Sequence, residues 1–373
     1  MNRILFFTPY GGKTGSEKLL WYTLHHFDRS QFQAALYCEQ NGTLANELPK
    51  DVAFYTSAFE GTRSKRLYAK ALNALGRGVY ENKIDDIHRQ FGADTWYLNT
   101  VMMAPMAKFA RKRGVKLIFH VHELESLLEC ATLQEFKETL EYADLVIANS
   151  LVVQAMLRDM GAKNVELCYP FVDLSEIKIK PERRDEIRQK HQIPPDAFVW
   201  VMSGSPIFKK GVDIFPQIAR ELRHLNYHFV WLGSIKEPSA LNYLAEQRVK
   251  TSGLSNVSFL KPSSADYYDY LNMADGFMLT SREEPFGMVL VEAAHLGKPI
   301  VAFDAGGPAE FVRNDLGIMV SRQNVSEMVA ALQQVASGQV KFDPAVAKSR
   351  AAEFDAKVQI KNWEKIVSNY LGQ

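Results

Sequence analysis

The sequence predicts an α/β protein with two doubly wound, Rossmann-like domains that face a cleft. Its 373 residues exceed one ordinary domain, which holds about 100–200 residues. Short apolar runs alternate with longer amphipathic stretches, a pattern typical of parallel strands separated by covering helices. The alternation stops near Tyr169 and resumes at Phe198, so the strands and helices fall into two series of similar size.

The first series spans residues 1–175 and predicts an N-terminal domain. The amphipathic stretch Ser16–Phe27 predicts a helix after the first strand. Short apolar runs predict strands at Arg3–Thr8, Phe32–Cys38, Val52–Tyr55, Thr95–Leu98, Lys116–His120 and Leu145–Ala148. Because stretches of helical length separate these strands, we expect a mostly parallel sheet.

The second series spans residues 190–355 and predicts a C-terminal domain. A charged linker with one small helix precedes it, and the amphipathic stretch 356–373 follows it and is expected to pack back on the N-terminal domain. The predicted strands are Phe198–Ser203, Tyr227–Leu232, Val257–Leu260, Gly276–Thr280 and Pro299–Phe303, and the predicted helices are Gly211–Leu225, Gly287–Leu296 and Val325–Ala336. Since ligands of such sheets bind beyond the carboxyl ends of the strands, we expect the site in the cleft between the two sheets.

The composition excludes several classes of protein. The 44 Lys and Arg residues balance 43 Asp and Glu residues, whereas a dedicated nucleic-acid binder usually has a strongly basic domain. No apolar run reaches the roughly 18 residues of a membrane-spanning helix, and the first residues lack the features of a signal peptide. The three cysteines fit neither a disulfide framework nor a cysteine-rich metal site. We therefore expect a cytoplasmic enzyme that does not act on nucleic acid.

The segment 280–299 carries the strongest chemical signal. A predicted strand runs into a polar loop with Glu284, and a helix starts near Gly287, where the backbone can approach a ligand closely. The first amides of this helix form an anion site, and Glu292 lies about 7.5 Å further along its axis. This spacing suits a nucleotide sugar, with Glu292 on the ribose, the amides on the diphosphate and Glu284 on the transferred sugar. A capped helix with acidic first turns has the same pattern. The donor-binding candidates of the segment are Glu284, Phe286, Gly287, Met288, Val289 and Glu292.

The segment from Glu284 to Glu292 resembles the Glu-x7-Glu signature of retaining glycosyltransferases with the two-Rossmann architecture called GT-B. The resemblance is closest to glycosyltransferase family 4, the glycosyl transferases group 1. Downstream, the segments 297–302 (Gly-Lys-Pro-Ile-Val-Ala) and 306–310 (Gly-Gly-Pro-Ala-Glu) match the pattern of the same family. The resemblance spans nearly the whole chain, and it is strong over 143–320 and loose over 40–115.

A second loop, residues 203–211, follows the first strand of the predicted C-terminal domain. Lys210 is suitably placed to meet the negative charge that grows on a diphosphate leaving group, although a solvated lysine pair has the same appearance. Family 4 usually has Gly-Arg, a few residues, and then Lys-Gly. Ser205 stands where the family commonly has Arg, so Lys209 or Arg282 are candidates for the second cation. The donor-binding candidates of this loop are Gly204, Ser205, Lys209 and Lys210.

The N-terminal half contributes a glycine-rich loop and a histidine. The loop 9–17 lacks the spacing of a P-loop but resembles the first glycine-rich loop of family 4, which implies donor contacts by Gly12 and Gly15. His122 follows the strand Lys116–His120, and a side chain at that strand end points into the expected cleft. The resemblance implies that His122 contacts the transferred sugar near the reacting carbon. A structural histidine, or a metal ligand together with His120, are the alternatives.

The resemblance implies a retaining reaction that moves a sugar from a nucleotide diphosphate to a hydroxyl acceptor in glycan, cell-envelope polysaccharide or glycolipid synthesis. His122, Lys210 and Glu284 are the catalytic candidates. No metal or other cofactor is expected, because the Asp-x-Asp motif of the other main glycosyltransferase fold is absent from the sequence. Two rival functions stay open: a nucleotide-sugar epimerase on the same architecture, and a nucleotide-sugar-binding subunit that has lost turnover.

The charge of the N-terminal half is uneven. Residues 61–116 carry 12 Lys and Arg against 4 Asp and Glu, whereas residues 117–175 carry 3 against 10. In the basic part, apolar side chains are interleaved with cations: Arg63, Lys65, Arg66, Leu67, Tyr68, Leu72 and Leu75. A basic amphipathic helix of this kind lies on anionic membrane surfaces in other proteins, although an ordinary solvated helix has the same pattern. The acceptor is therefore expected to be a saccharide or a lipid-linked group met by peripheral membrane contact.

Overall fold

The structure is a computed structural model that divides into two units. The first unit consists of Met1–Phe171 together with Ala356–Gln373, and the second consists of Val172–Asp355. The residues described are 1–12, 15–56, 79–128, 130–233 and 240–372. Within these ranges, no helix has the length and apolar character needed to cross a membrane.

The first unit is an α/β unit built on parallel strands. Its strands in the described residues are β1 (Asn2–Tyr10), β2 (Phe32–Gln40), β3 (Ala53–Thr56), β4 (Thr95–Asn99), β5 (Lys116–Val121), β6 (Leu145–Ala148) and β7 (Val165–Leu167). They form one sheet in the order β3-β2-β1-β4-β5-β6-β7. The helices described before residue 172 are α1 (Gly15–His26), α2 (Val79–Phe91), α3 (Ala107–Arg113), α4 (Glu125–Leu128), α5 (Leu133–Tyr142) and α6 (Leu151–Asp159).

The C-terminal helix, Ala356–Leu371, packs on this first unit through one large aromatic residue. Trp363 is 1% exposed, and its ring lies 5.6 Å from Phe32 and 6.3 Å from Phe6, measured between centroids. The Trp363 indole donates a hydrogen bond of 3.1 Å to the Tyr97 hydroxyl. Burial of this side chain and its polar end anchors the last helix of the chain against β1, β2 and β4.

The second unit repeats the same architecture. Its strands in the described residues are β8 (Phe198–Ser203), β9 (Tyr227–Leu232), β10 (Val257–Leu260), β11 (Gly276–Leu279), β12 (Ile300–Phe303) and β13 (Gly317–Val320). They pair in parallel in the order β10-β9-β8-β11-β12-β13. The described helices are α7 (Arg183–Lys190), α8 (Phe215–Glu221), α9 (Ala240–Thr251), α10 (Tyr267–Asn272), α11 (Met288–His295), α12 (Pro308–Phe311), α13 (Val325–Ala336) and α14 (Pro344–Ala352).

Each sheet reverses its strand order at one point, which is where doubly wound sheets bind ligands. In the first unit the reversal lies between β1 and β4, so the glycine-rich loop after β1 and the end of β4 are neighbours. In the second unit it lies between β8 and β11, which brings together the loop after Ser203 and the loop after Leu279. The predicted site residues of each half therefore lie at the carboxyl ends of central strands.

The predicted fold class, two Rossmann-like α/β domains, is confirmed, with differences in single elements. The helix predicted over Gly211–Leu225 begins only at Phe215, because Gly211 has a left-handed φ of 77° and Pro216 favours the first helical turn. Strands β7 and β13 were not predicted. Both lie at sheet edges and have only three and four residues.

Candidate active site

The carboxylate of Glu284 is the centre of a polar cluster in the second unit. It lies between β11 and α11 and is 6% exposed. The Lys210 ammonium donates to Oε2 of Glu284, and the Ser281 hydroxyl donates to the same oxygen at 3.1 Å. A buried carboxylate needs such partners. We call Lys210, Ser281 and Glu284 the acidic–lysine cluster; it joins two of the catalytic candidates.

The loop that carries Lys210 is held against the loop after β11 by the backbone. The Arg282 amide donates to the Lys209 carbonyl at 2.8 Å, and the Thr280 hydroxyl donates to the Lys210 carbonyl at 2.9 Å. A Cβ at Gly211 would lie 2.1 Å from the Thr280 carbonyl oxygen. This close approach requires glycine, which explains why Lys210 is followed by one.

The backbone of Glu284 is fixed from its other side. Its amide donates to the Ala305 carbonyl at 2.9 Å, and its carbonyl accepts from the Gly307 amide at 2.9 Å. A Cβ at Gly307 would lie 1.8 Å from the Pro285 carbonyl oxygen, so only glycine fits there. The Gly-Gly-Pro segment noted in the sequence therefore holds Glu284 in place.

Both candidates for the second cation are ion-paired in this structure. The Arg282 guanidinium makes two hydrogen bonds to Asp213, at 2.7 and 2.8 Å, and stacks on the Phe208 ring at 3.8 Å. Burial raises the pKa of Asp213, but the hydrogen bond and charge of Arg282 outweigh it and keep this pKa below the usual value. The Lys209 ammonium lies 3.4 Å from Glu283.

Glu292 is the second buried carboxylate of the predicted pair. It lies on α11, which starts after Gly287, and is 2% exposed. The hydroxyl of Tyr267 donates to its Oε2 at 3.0 Å, and the hydroxyl of Tyr268 donates to its Oε1 at 3.3 Å. The sequence analysis did not identify these tyrosines, because both precede Glu292 by more than 20 residues and lie on another helix.

The remaining donor-binding candidates of the second unit differ in exposure. The Phe286 side chain is 1% exposed and packs with Phe311 and Phe354, at centroid distances of 6.2 and 5.1 Å. It is a core residue, so a donor can meet position 286 only through the backbone. Ser205 is exposed, and the partly buried residues are Gly204, Lys209, Lys210, Met288 and Val289.

In the first unit, His122 lies just after β5 and bonds to the end of β4. Its Nε2 is 2.8 Å from Oδ1 of Asn99. The amide of Asn99 donates through Nδ2 to the Ser16 carbonyl at 3.3 Å, which orients its oxygen toward the imidazole. Nε2 of His122 must then carry the proton, and Nδ1 is the acceptor. Asn99 thereby connects the start of α1 to the tautomer of His122.

His120 lies behind His122, and the two rings are 3.9 Å apart between centroids. His120 is 3% exposed, and its Nδ1 lies 2.6 Å from the Tyr97 hydroxyl. Burial lowers the pKa of His122 to about 3, and burial together with the neighbouring His122 lowers the pKa of His120 well below its usual value. We call Asn99, His120 and His122 the imidazole cluster; both rings are neutral at physiological pH.

The strand ends beside the imidazole cluster are tightly constrained. Thr100 has a φ of 85°, which is rare for a β-branched residue and stores strain of the kind that concentrates at functional sites. The Glu123 carboxylate accepts hydrogen bonds from the amides of His122, at 2.9 Å, and Val101, at 3.3 Å. These contacts hold the ends of β4 and β5 together.

The glycine-rich loop is described only in part. Gly12 is buried and Gly15, the first residue of α1, is exposed, whereas Lys13 and Thr14 lie outside the described residues. The basic segment predicted to contact membranes, from Arg63 to Leu75, also lies outside them. Among the residues that are described, no cluster of three His, Cys, Asp or Glu side chains is arranged to hold a metal ion.

Comparison with known families identifies the chain. Residues 183–352 match the family "Glycosyl transferases group 1", and residues 13–176 match "Glycosyltransferase Family 4". The two matches together span most of the sequence. The chain therefore belongs to glycosyltransferase family 4, the glycosyl transferases group 1, and its two α/β units have the GT-B fold class.

Curated relatives match part of the chain. D-inositol 3-phosphate glycosyltransferase 1 of Catenulispora acidiphila is 27% identical over 253 residues, which cover 61% of this chain and 60% of the relative. Lipopolysaccharide 1,6-galactosyltransferase of Salmonella typhimurium is 25% identical over 244 residues, which cover 63% of this chain and 64% of the relative. The chain thus spans less than two thirds of the length of these relatives.

A solved structure covers the chain more completely. The Anabaena protein HepE, in a complex with UDP-glucose, superposes with a TM-score of 0.82 over 99% of this chain and 100% of that chain. The two sequences are 20% identical, so this similarity shows the fold alone.

Proposed function

We propose that this chain is a retaining glycosyltransferase that moves a sugar from a nucleotide-diphosphate sugar to a hydroxyl acceptor. The observation that carries the proposal is the pair of buried carboxylates, Glu284 and Glu292, around the start of α11, with Lys210 against Glu284. A helix start attracts a diphosphate, and carboxylates accept hydrogen bonds from sugar hydroxyls. Membership of family 4 and the sequence signature support the same assignment.

In the proposed donor site, each part of the nucleotide sugar is bound by different residues. Glu292 holds the ribose hydroxyls, and the backbone amides of Gly287, Met288 and Val289 hold the diphosphate. Glu284 and His122 contact the transferred sugar, with Nδ1 of His122 accepting a hydrogen bond from a sugar hydroxyl. The loop residues Gly12, Gly15, Gly204, Ser205 and Lys209 complete the proposed contacts with the donor.

Lys210 has the central electrostatic role in this proposal. As the bond from the anomeric carbon to the phosphate oxygen breaks, negative charge grows on the phosphate, and a cation already in place lowers that barrier. An ammonium group has three donors, so Lys210 can keep its bond to Glu284 while it binds the phosphate. The acceptor oxygen bonds to the anomeric carbon on the same face and passes its proton to the departing phosphate, which retains the anomeric configuration.

We further propose that the reaction needs no metal ion, because Lys210 and the α11 amides supply the positive potential that a divalent cation supplies elsewhere. The acceptor belongs to a glycan, a cell-envelope polysaccharide or a glycolipid, which agrees with the lipopolysaccharide named for the Salmonella relative. A cytoplasmic location and peripheral contact with an anionic membrane through residues 61–116 stay predictions from the sequence.

Calorimetric titration in excess EDTA tests this proposal. UDP, ADP and GDP are titrated into the wild type, and the tightest-binding nucleotide and its sugar derivative are then compared on two variants. Glu292→Ala should weaken both ligands by about 1.5–3 kcal/mol, since charge-assisted hydrogen bonds are lost. Glu284→Ala should leave nucleotide binding intact and lower turnover, because its proposed partner is the sugar. Unchanged nucleotide affinity in Glu292→Ala removes the ribose assignment, and binding abolished by EDTA contradicts metal independence.

A further inference from the structure

Two adjacent tyrosines at the start of α10 bind the same carboxylate. Tyr267 donates to Oε2 of Glu292 at 3.0 Å, and Tyr268 donates to Oε1 at 3.3 Å. Each oxygen of a carboxylate accepts about two hydrogen bonds, so neither tyrosine prevents a ligand hydroxyl from reaching the oxygen that it contacts. Two donors, one on each oxygen, define the plane of the carboxylate.

A third hydroxyl determines where the protons lie. The Ser203 hydroxyl is 2.7 Å from that of Tyr267. Tyr267 has one proton, and an ionised carboxylate only accepts; Tyr267 therefore donates to Glu292 and accepts from Ser203. Burial, followed by the charge of Glu292, raises the pKa of Tyr267 well above its usual value, so the phenol keeps its proton at neutral pH.

This hydroxyl chain connects two parts of the second unit that carry donor-binding candidates. Ser203 is the last residue of β8 and precedes the Gly204 loop, whereas Glu292 lies on α11. Tyr267, from a third element, bridges them. A side chain on α11 is thus oriented by groups that belong to α10 and β8.

We propose that Tyr267 and Tyr268 are positioning residues, which hold the Glu292 carboxylate in the orientation that binds both ribose hydroxyls of a nucleoside diphosphate, and that Ser203 orients Tyr267. The inference rests on the proposed function, because it assigns the ribose to Glu292. A structural role alone would affect every ligand of the second unit equally. A positioning role affects only ligands that carry ribose hydroxyls.

The test compares ribose and dideoxyribose nucleotides on matched variants. The tightest-binding of UDP, ADP and GDP and its 2′,3′-dideoxy form are titrated calorimetrically into the wild type, Tyr267→Phe, Tyr268→Phe and Tyr270→Phe. Tyr270→Phe is the control, because its hydroxyl lies on the same helix but bonds to His191 at 3.0 Å. We expect Tyr267→Phe to weaken the ribonucleotide roughly 3- to 10-fold, Tyr268→Phe to weaken it less, and Tyr270→Phe to leave it unchanged.

The dideoxynucleotide should bind all four proteins equally, since Glu292 then has no hydroxyl to hold. Ser203→Ala, which keeps both phenols, should show a smaller loss with the same dependence on ribose, and it carries the test if Tyr267→Phe does not fold. Equal losses for both nucleotides, or no loss in Tyr267→Phe or Ser203→Ala, overturn the positioning role.

Glu292→Ala separates this failure from failure of the proposed function. If Glu292→Ala weakens the ribonucleotide while the tyrosine variants do not, the ribose assignment stands and the positioning role falls. If Glu292→Ala has no effect, or none of the three nucleotides binds, the ribose assignment and the positioning role both fall.

Discussion

The acidic–lysine cluster and the imidazole cluster bury polar groups in opposite ways. In the second unit, the buried Glu284 is held by the Lys210 ammonium, a hydroxyl and two backbone hydrogen bonds. In the first unit, His122 gives up its charge and is held by a neutral amide. Under the proposed function, the lysine-bearing cluster meets the charge of the departing diphosphate, and the neutral cluster meets the uncharged sugar.

The largest effect on activity is expected from removing the Lys210 ammonium from the acidic–lysine cluster. Lys210→Ala should lower kcat on the order of 10²–10³-fold, because its proposed partner is charge that develops in the transition state. Donor affinity should fall much less, since the interaction strengthens only as the bond breaks. Steady-state kinetics with the preferred nucleotide sugar separate the two parameters.

Lys209→Ala is the matched control for this variant. Its ammonium lies on the adjacent residue but pairs with Glu283 at 3.4 Å rather than with Glu284. We expect near wild-type kcat, with any loss confined to donor affinity because Lys209 is one of the proposed donor contacts. If Lys209→Ala lowers kcat as strongly as Lys210→Ala, the two lysines act together in place of the missing Arg at position 205. If both variants keep full activity, the proposed electrostatic role of the loop 203–211 is contradicted.

A smaller effect is expected from substituting His122 in the imidazole cluster. This effect is on the free energy of unfolding, and it depends on pH. The pKa of His122 is about 3 in the folded chain against 6.5 ordinarily, so between these values the unfolded state binds one proton more. The stability that His122 contributes is complete well above pH 6.5 and is lost as the pH falls toward 3. His122→Gln has no such pH dependence at this position. The free energy of unfolding of the wild type, relative to that of the variant, should therefore fall by up to about 1.4 kcal/mol for each pH unit below 6.5.

Urea unfolding at several pH values measures that difference. Between pH 7 and 8 the difference should be nearly constant, because His122 is neutral in the folded state and mostly neutral in the unfolded state, and this range serves as the internal control. A difference that stays constant down to pH 4 would mean that His122 is protonated in the folded chain as readily as in the unfolded chain. The contrast between a charged and a neutral cluster would then be lost.

The sequence predicted the strands that carry the two clusters better than it predicted the hydrogen-bond partners of the cluster residues. Buried strands such as Leu145–Ala148 and Phe198–Ser203 have the predicted bounds, because continuous apolar runs between turns are their direct signature. Glu284 and Glu292 were found because they occupy fixed positions in one local motif. Strand β7 was missed because it has only three residues, whereas β13 was missed although Gly317–Val320 is apolar.

The partners of the candidate residues depend on the tertiary fold. Asn99 reaches His122 because parallel pairing brings the ends of β4 and β5 together. Tyr267 reaches Glu292 because the fold places α10 beside α11. The reach of Lys210 to Glu284 depends likewise on Gly211, which permits a close approach that no local pattern specifies. A single sequence therefore does not show which of these distant residues come into contact.

The stereochemistry of donor hydrolysis tests the central claim most directly. The enzyme is incubated without acceptor with α-linked UDP-glucose, UDP-galactose and GDP-mannose, and the sugar first released is followed by proton NMR before it mutarotates. A retaining transfer through the Lys210 and Glu284 site predicts that the α-anomer appears first and that its release is strongly slowed in Lys210→Ala. Initial release of the β-anomer, or release at the same rate in Lys210→Ala, would contradict the account.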